Sequence, residues 1–252
     1  MLRSRFLACV LAVALLLPAP LWAAVAFDAA SESTIGADGT SLTVSHVVSG
    51  SNRALYCACS HTPGDTGVSG VTATYNSVAM DILFTDEATL SNRHVRVFRL
   101  VAPDTGTHDT VFSWSGTSGM AAICASFTGV DQADPDDAQA ATSVDPGTSI
   151  SRSTSSAVGD MVMDVLVVNN NSSAIAVSGT NTEINQIDPT GGADDPNGIA
   201  ASYEAGAATV TPSWGWTGSV SGVQWAWNIN AASGGGGATC SGALLTMGAG
   251  GC

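Results

Sequence analysis

Two acidic segments carry the side chains best suited to hold a metal ion. One is Asp131-Gln132-Ala133-Asp134-Pro135-Asp136-Asp137; the other runs from Asp188 through Asp194 and Asp195 to Gly198. Calcium takes about six to eight oxygen ligands from carboxylates and carbonyls, which such segments supply. Asp131, Asp134, Asp136, Asp137, Asp188, Asp194 and Asp195 are therefore candidate calcium ligands, and no other cofactor is suggested. Neither segment has the EF-hand spacing or a Gly-Gly-x-Gly-x-Asp repeat, so solvated acidic turns are the competing reading. A second constellation is aromatic. Trp214 and Trp216, then Trp225 and Trp227, stand two apart near the end of the domain. Exposed, they would stack on sugar rings; buried, they would be core.

Catalytic chemistry has less to build on. A Ser-His-Asp hydrolase needs a positioned nucleophile and base, and no Gly-x-Ser-x-Gly elbow occurs. Gly116-Thr117-Ser118-Gly119 reads as a hairpin turn, and His46, His61, His94 and His108 are scattered. Paired carboxylates would serve glycoside hydrolysis. Most aspartates, however, sit in phrases such as Asp104-Thr105-Gly106 and Asp145-Pro146-Gly147. Aspartate is favoured in turns because its side chain bonds nearby backbone.

The N-terminus carries an export signal, which implies an oxidising compartment where disulfides persist. Met1 to Arg5 carries two arginines, Phe6 to Leu17 is apolar, and Ala24-Val25-Ala26 offers small residues for cleavage. That order is a secretory signal. The run falls short of the roughly 20 apolar residues that span a bilayer, and no later stretch in the mature chain is long enough. Residues 1–26 are thus expected to leave as a signal peptide. The mature chain keeps Cys57, Cys59, Cys124, Cys240 and Cys252. Cys240 and Cys252 bracket a short Gly-rich tail and could close it. Cys57 and Cys59 share a strand face, and Cys124 could pair with one of them. The alternative is three buried small hydrophobes. A zinc site is not expected from Cys-x-Cys without a second pair.

The elements that must position these groups are strands. Runs rich in Val, Ile, Thr, Phe and Trp alternate with Gly, Ser, Asn, Asp and Pro clusters. Ser41–Val48, Arg53–Cys59, Val71–Tyr75, His94–Val101, Asp109–Trp114, Met120–Phe127, Asp160–Val168, Ile199–Tyr203, Ala208–Trp214 and Val223–Ile229 are the predicted strands. Met161 to Val168 is almost continuously apolar, as a central strand covered on both sides would be. The expected fold is all-β, an antiparallel, jelly-roll-like β-sandwich in a single domain over residues 27–232. Residues 233–252 form a Gly-rich linker and a Cys-bracketed tail. Of 252 residues, 21 are Asp or Glu and 7 are Lys or Arg, all of the latter arginine, giving a formal charge of −14. That excludes a basic nucleic-acid binder.

Several phrases occur in a familiar order: Ser49-Gly50-Ser51-Asn52-Arg53-Ala54-Leu55, Val71-Thr72-Ala73-Thr74-Tyr75-Asn76, Val97-Phe98-Arg99-Leu100-Val101-Ala102-Pro103, Gly106-Thr107-His108, Ala125 to Gln132 and Ala157-Val158-Gly159-Asp160. Together they resemble β-sandwich modules of bacterial secreted proteins and of bacteriophage structural or tail-associated proteins. The resemblance implies an accessory or surface module and carries over no catalytic residue. Cys57, Cys59 and the tail depart from the pattern. The expected function is a non-catalytic extracellular structural or interaction protein, acting by surface binding or subunit assembly. It would work at a cell, matrix or virion surface, secreted by a bacterium or associated with a phage. The alternatives are a carbohydrate-binding module and a polysaccharide-degrading enzyme. Expected partners are a glycan, or a second copy joined through a sheet edge or the tail.

Overall fold

The computed structural model describes residues 24–36, 39–61, 68–86, 95–169, 173–189 and 197–233. Most of the leader, and the tail with Cys240 and Cys252, lie outside the described residues, as do Asp194 and Asp195. In chain order the strands are β1 (Ala26–Ile35), β2 (Ser41–Val48), β3 (Ala54–His61), β4 (Ser69–Tyr75), β5 (Val78–Ala79) and β6 (Asp81–Asp86). Then come β7 (Val95–Val101), β8 (Gly106–Ser115), β9 (Met120–Thr128), β10 (Asp136–Ser151), β11 (Thr154–Ser155) and β12 (Met161–Val168). The last are β13 (Ser173–Val177), β14 (Thr182–Ile187), β15 (Gly198–Ala205), β16 (Thr209–Val210) and β17 (Ser213–Ile229). Among the described residues there is no helix, and every strand pairing is antiparallel. The all-β antiparallel sandwich expected from the sequence is the fold.

Three sheets stack. The outer one has the order β2-β8-β4-β5, the middle one β1-β9-β3-β7-β6, and the third β10-β17-β12-β15-β14 with β13 also on β17. Side chains alternate between faces along a strand, and this parity assigns each residue to a core. On β3, Ala54, Tyr56 and Ala58 join the core shared with the third sheet, while Leu55, Cys57 and Cys59 join the core shared with the outer sheet. On β9, Ile123, Ala125 and Phe127 face one way and Met120, Ala122 and Cys124 the other. The middle sheet therefore has no solvent face at β3, where all eight residues are buried. β2, at the surface, reads strictly exposed then buried along Ser41–Val48.

β12 is buried throughout, as its continuous apolar run predicts. Met161, Met163, Val165 and Val167 pack toward the middle sheet, and Leu166 and Val168 pack on the opposite face with Ile150, Trp214 and Trp216. What covers that opposite face is the chain itself. β10 and β17 pair over nearly their whole length, with register shifts around Val144, Gly147 and Ser149. The expected turn Asp145-Pro146-Gly147 is instead an irregularity inside β10, with a cis Asp145–Pro146 bond. At the other end, Val25 is 5% exposed in the core and its N–H donates to the Gly159 carbonyl at 2.8 Å. The packed sandwich thus starts two residues before Phe27.

Candidate functional site

The four tryptophans go to two different cores. Trp214 and Trp216 lie behind the third sheet with Ile150 and Leu166. Trp227 packs between the middle and third sheets, with ring centroids 5.6 Å from Tyr56 and 5.4 Å from Phe84. Trp225, half-buried, stacks on Phe84 at 4.3 Å. Relative exposures of 0% for Trp214 and Trp227 and 6% for Trp216 leave no shared surface platform. Of the two readings of the aromatic constellation, Trp214, Trp216 and Trp227 take the core one, and Trp225 is half-buried.

The first acidic segment is also divided by strand parity. Asp131 accepts N–H bonds from Ala133 and Asp134 at 2.9 and 3.2 Å, a turn in which these backbone donors hold its carboxyl below the ordinary range. Asp136 points into the interior, where its Oδ2 takes Arg99 Nη1 at 2.8 Å and the Tyr56 hydroxyl at 3.1 Å. Burial first, then this carboxylate, push the Tyr56 phenol well above its ordinary value. Asp134 and Asp137 are exposed. Asp188 accepts the Ile175 N–H at 3.1 Å. Among the described residues, no three His, Cys, Asp or Glu side chains gather as metal ligands.

Among the described residues the cysteines resolve into one bridge and one thiol. Cys57 on β3 is the direct cross-strand partner of Cys124 on β9, and the two form a disulfide with Cα atoms 4.1 Å apart. Cys59 is free and buried, and burial pushes its thiol up to about 12. A thiol held protonated is a poor nucleophile.

Three polar groupings were not singled out by sequence. Asp164 is the one acid in the apolar run of β12, and it is fully buried. It accepts hydrogen bonds from the Ser202 hydroxyl, from Trp214 Nε1 at 2.6 Å and from Gln224 Nε2 at 2.8 Å. Burial raises its carboxyl to about 6 against the opposing pull of these donors. Its charge amid Val and Leu was the available signal. His46, 1% exposed, lies 2.7 Å from the Ser31 hydroxyl through Nδ1, while its buried Nε2 has no partner among the described residues.

The third grouping lines a concavity of about 230 Å³ formed by Asp137, Ser155, Ser156, Ala157, Asp160, Asn228 and Asn230. Asp137 and Asn228 are cross-strand partners on β10 and β17. Asp160 ends the turn that enters β12; its Oδ1 accepts the Ala231 N–H at 2.9 Å and its Oδ2 accepts Asn228 Nδ2 at 3.0 Å. Only Asp137 of the expected acidic ligands is here. A larger groove of about 420 Å³ on the outer sheet is lined by Thr74, Asn76, Ser77, Thr107, His108, Asp109 and Val111. Comparison with family models, curated proteins and solved structures gave no match.

Proposed function

We propose that the chain is a non-catalytic structural or interaction protein that assembles through a sheet edge at a bacterial cell, matrix or virion surface. The carrying observation is one side of the stack. β5 ends the outer sheet and β6 ends the middle sheet, with only Met80 between them. Among the described residues each pairs on one side only, β5 with β4 and β6 with β7. Two of the large apolar side chains left exposed sit here, Val78 at 48% and Ile82 at 53%. Unpaired edge donors and acceptors with apolar side chains beside them are a template for another strand. The extracellular part of the reading is supported by the Cys57–Cys124 bridge, since disulfides persist in oxidising compartments.

Sedimentation velocity over a concentration series tests this. The wild type is expected to self-associate, and Ile82→Lys to shift toward monomer, because a lysine on an edge opposes strand addition. A wild type that stays monomeric into the millimolar range, or an Ile82→Lys variant that assembles equally well, would overturn it. The groove beside His108 and Asp109 supports a second reading, a hydroxyl-bearing ligand such as a glycan unit. A glycan array probed with the monomeric variant separates the two.

A further inference from the structure

We propose that β2 pairs antiparallel with β2 of a second copy, about a two-fold axis at Ser45. This names a second edge, goes beyond the assembly reading and does not depend on it. β2 and β5 are opposite ends of the outer sheet, so this contact and the one at β5 and β6 do not compete.

Native sheet edges are blunted by short strands, bulges, charges or proline. β1, β6, β10 and β14, which end the middle and third sheets, each carry a register shift and at least one carboxylate. β5 has only two residues. β2 carries none of these devices. Its eight residues pair with β8 without a shift, from Ser41 opposite Ser113 to Val48 opposite Gly106. It holds no Asp, Glu, Arg or Pro, and its one ionisable side chain, His46, is buried. Among the described residues its other side has no strand partner.

Charge and strand parity name the occupant. At a formal charge of −14 two copies repel. An uncharged edge lets them meet without setting carboxylates directly opposite each other. Ser41, Thr43, Ser45 and Val47 face water, and Leu42, Val44, His46 and Val48 face the core. A partner strand must keep that parity, because a slip of one residue would turn core side chains outward. A two-fold axis at Ser45 keeps it, with Val47 of one copy opposite Thr43 of the other and Leu42 opposite Val48. Val47, 47% exposed, gains a β-branched neighbour on its bare side. Asp109 lies one strand in, opposite Ser45. The two copies' Asp109 residues are then three strand spacings apart, about 14 Å, beyond the screening length of about 8 Å at physiological salt. The contact is isologous and closes as a dimer.

Oxidative cross-linking of the full chain tests the register. Directly opposed residues of paired strands stand within disulfide reach. Ser45→Cys, at an exposed position, is expected to give a covalent dimer beyond any formed by the wild type's own cysteines. Ser41→Cys, equally exposed but far from its own copy in this register, is expected to add none. No added dimer in Ser45→Cys, or as much in Ser41→Cys, overturns the proposal. Sedimentation velocity separates this edge from the one at β6. Ile82→Lys is expected to keep a dimer, and Ile82→Lys/Ser45→Lys to run as a monomer, because two lysines on the axis oppose each other. The new lysine faces Asp109 within its own chain, so the fold is kept. Association lost in Ile82→Lys alone keeps the β5 and β6 reading and overturns this one. Association untouched by Ile82→Lys but lost in Ser45→Lys supports this one and removes the other.

Discussion

Asp164 and His46 are two buried ionisable groups whose effects on stability run in opposite directions. Burial raises the Asp164 carboxyl from 3.8 to about 6, so the folded state holds a proton that the unfolded chain releases. Its contribution is therefore lost as pH rises from 3.8 through about 6, by about 3 kcal/mol in all. Burial lowers the His46 imidazole from 6.5 to about 4, against a smaller opposing pull from Asp28. Here the unfolded chain takes up the proton first, and stability is lost as pH falls from 6.5 through about 4, by about 3 kcal/mol. The two slopes oppose each other in the wild type between about pH 4 and 6. Asp164→Asn keeps an acceptor for Trp214 and Gln224 and removes one slope, so its urea midpoint should rise with pH across that window. His46→Gln should show the reverse, a midpoint that falls as pH rises. Parallel profiles for both variants would refute the assignment. Neither residue was legible as a pair in sequence, because strand parity shows that Asp164 faces inward but not which donors meet it. The same limit divided the acidic segment: Asp136 and Asp137 are neighbours in sequence and face opposite sides of β10.

At the level of strands, legibility followed burial. β3, β7, β9 and β12 fall within a residue or two of their predicted ranges, because Val, Ile, Phe and Ala runs cut off by turn residues are what interior strands require, and β2, an edge strand, was legible from its strict alternation. β1, β6, β10, β13 and β14 were not predicted. β1, β6, β10 and β14 lie at sheet edges, where one side needs no partner and polar residues are tolerated, and β13 is a short strand off the main order. β10 was hidden further by Pro146, which signals a turn wherever it occurs. The β3–β9 pairing carries the clearest test at this scale. Register sets Cys57 against Cys124 and leaves Cys59 against Ala122, so only one bridge forms from three nearby cysteines. The bridge closes a separation of 67 residues. Chain entropy alone assigns such a loop about 4 kcal/mol, and native bridges typically give about 2–4 kcal/mol. Cys57→Ala/Cys124→Ala should lose that amount in urea unfolding, while Cys59→Ala, which breaks no bridge, should lose clearly less. Equal losses would show that packing in the core, and not the covalent link, sets the stability.

The whole molecule is a stack because its middle sheet has two apolar faces. Alternation in the sequence shows that a strand has two faces but not that both are covered, so the number of layers was not legible. The continuous runs Met161–Val168 and Met120–Thr128 were the trace of it. Sharing has an energetic consequence. β3 and β9 contribute Tyr56, Ile123 and Phe127 to one core and Leu55, Cys57 and Met120 to the other, so neither core survives loss of the middle sheet. Unfolding is then expected as one cooperative transition despite the several sheets. Two probes report on different layers. Trp214, Trp216, Trp225 and Trp227 lie on the third-sheet side and Trp114 lies in the outer core, so in a Trp114→Phe background fluorescence follows the third-sheet half. Cys59 belongs to the outer core and its buried thiol is pushed up to about 12, so alkylation follows the other half. Denaturant midpoints for tryptophan emission and for Cys59 labelling should coincide. Labelling of Cys59 at denaturant concentrations where the tryptophans remain native would mean that the outer sheet detaches alone. In that case the middle sheet would have to tolerate an apolar face in water, contrary to the burial of every residue of β3.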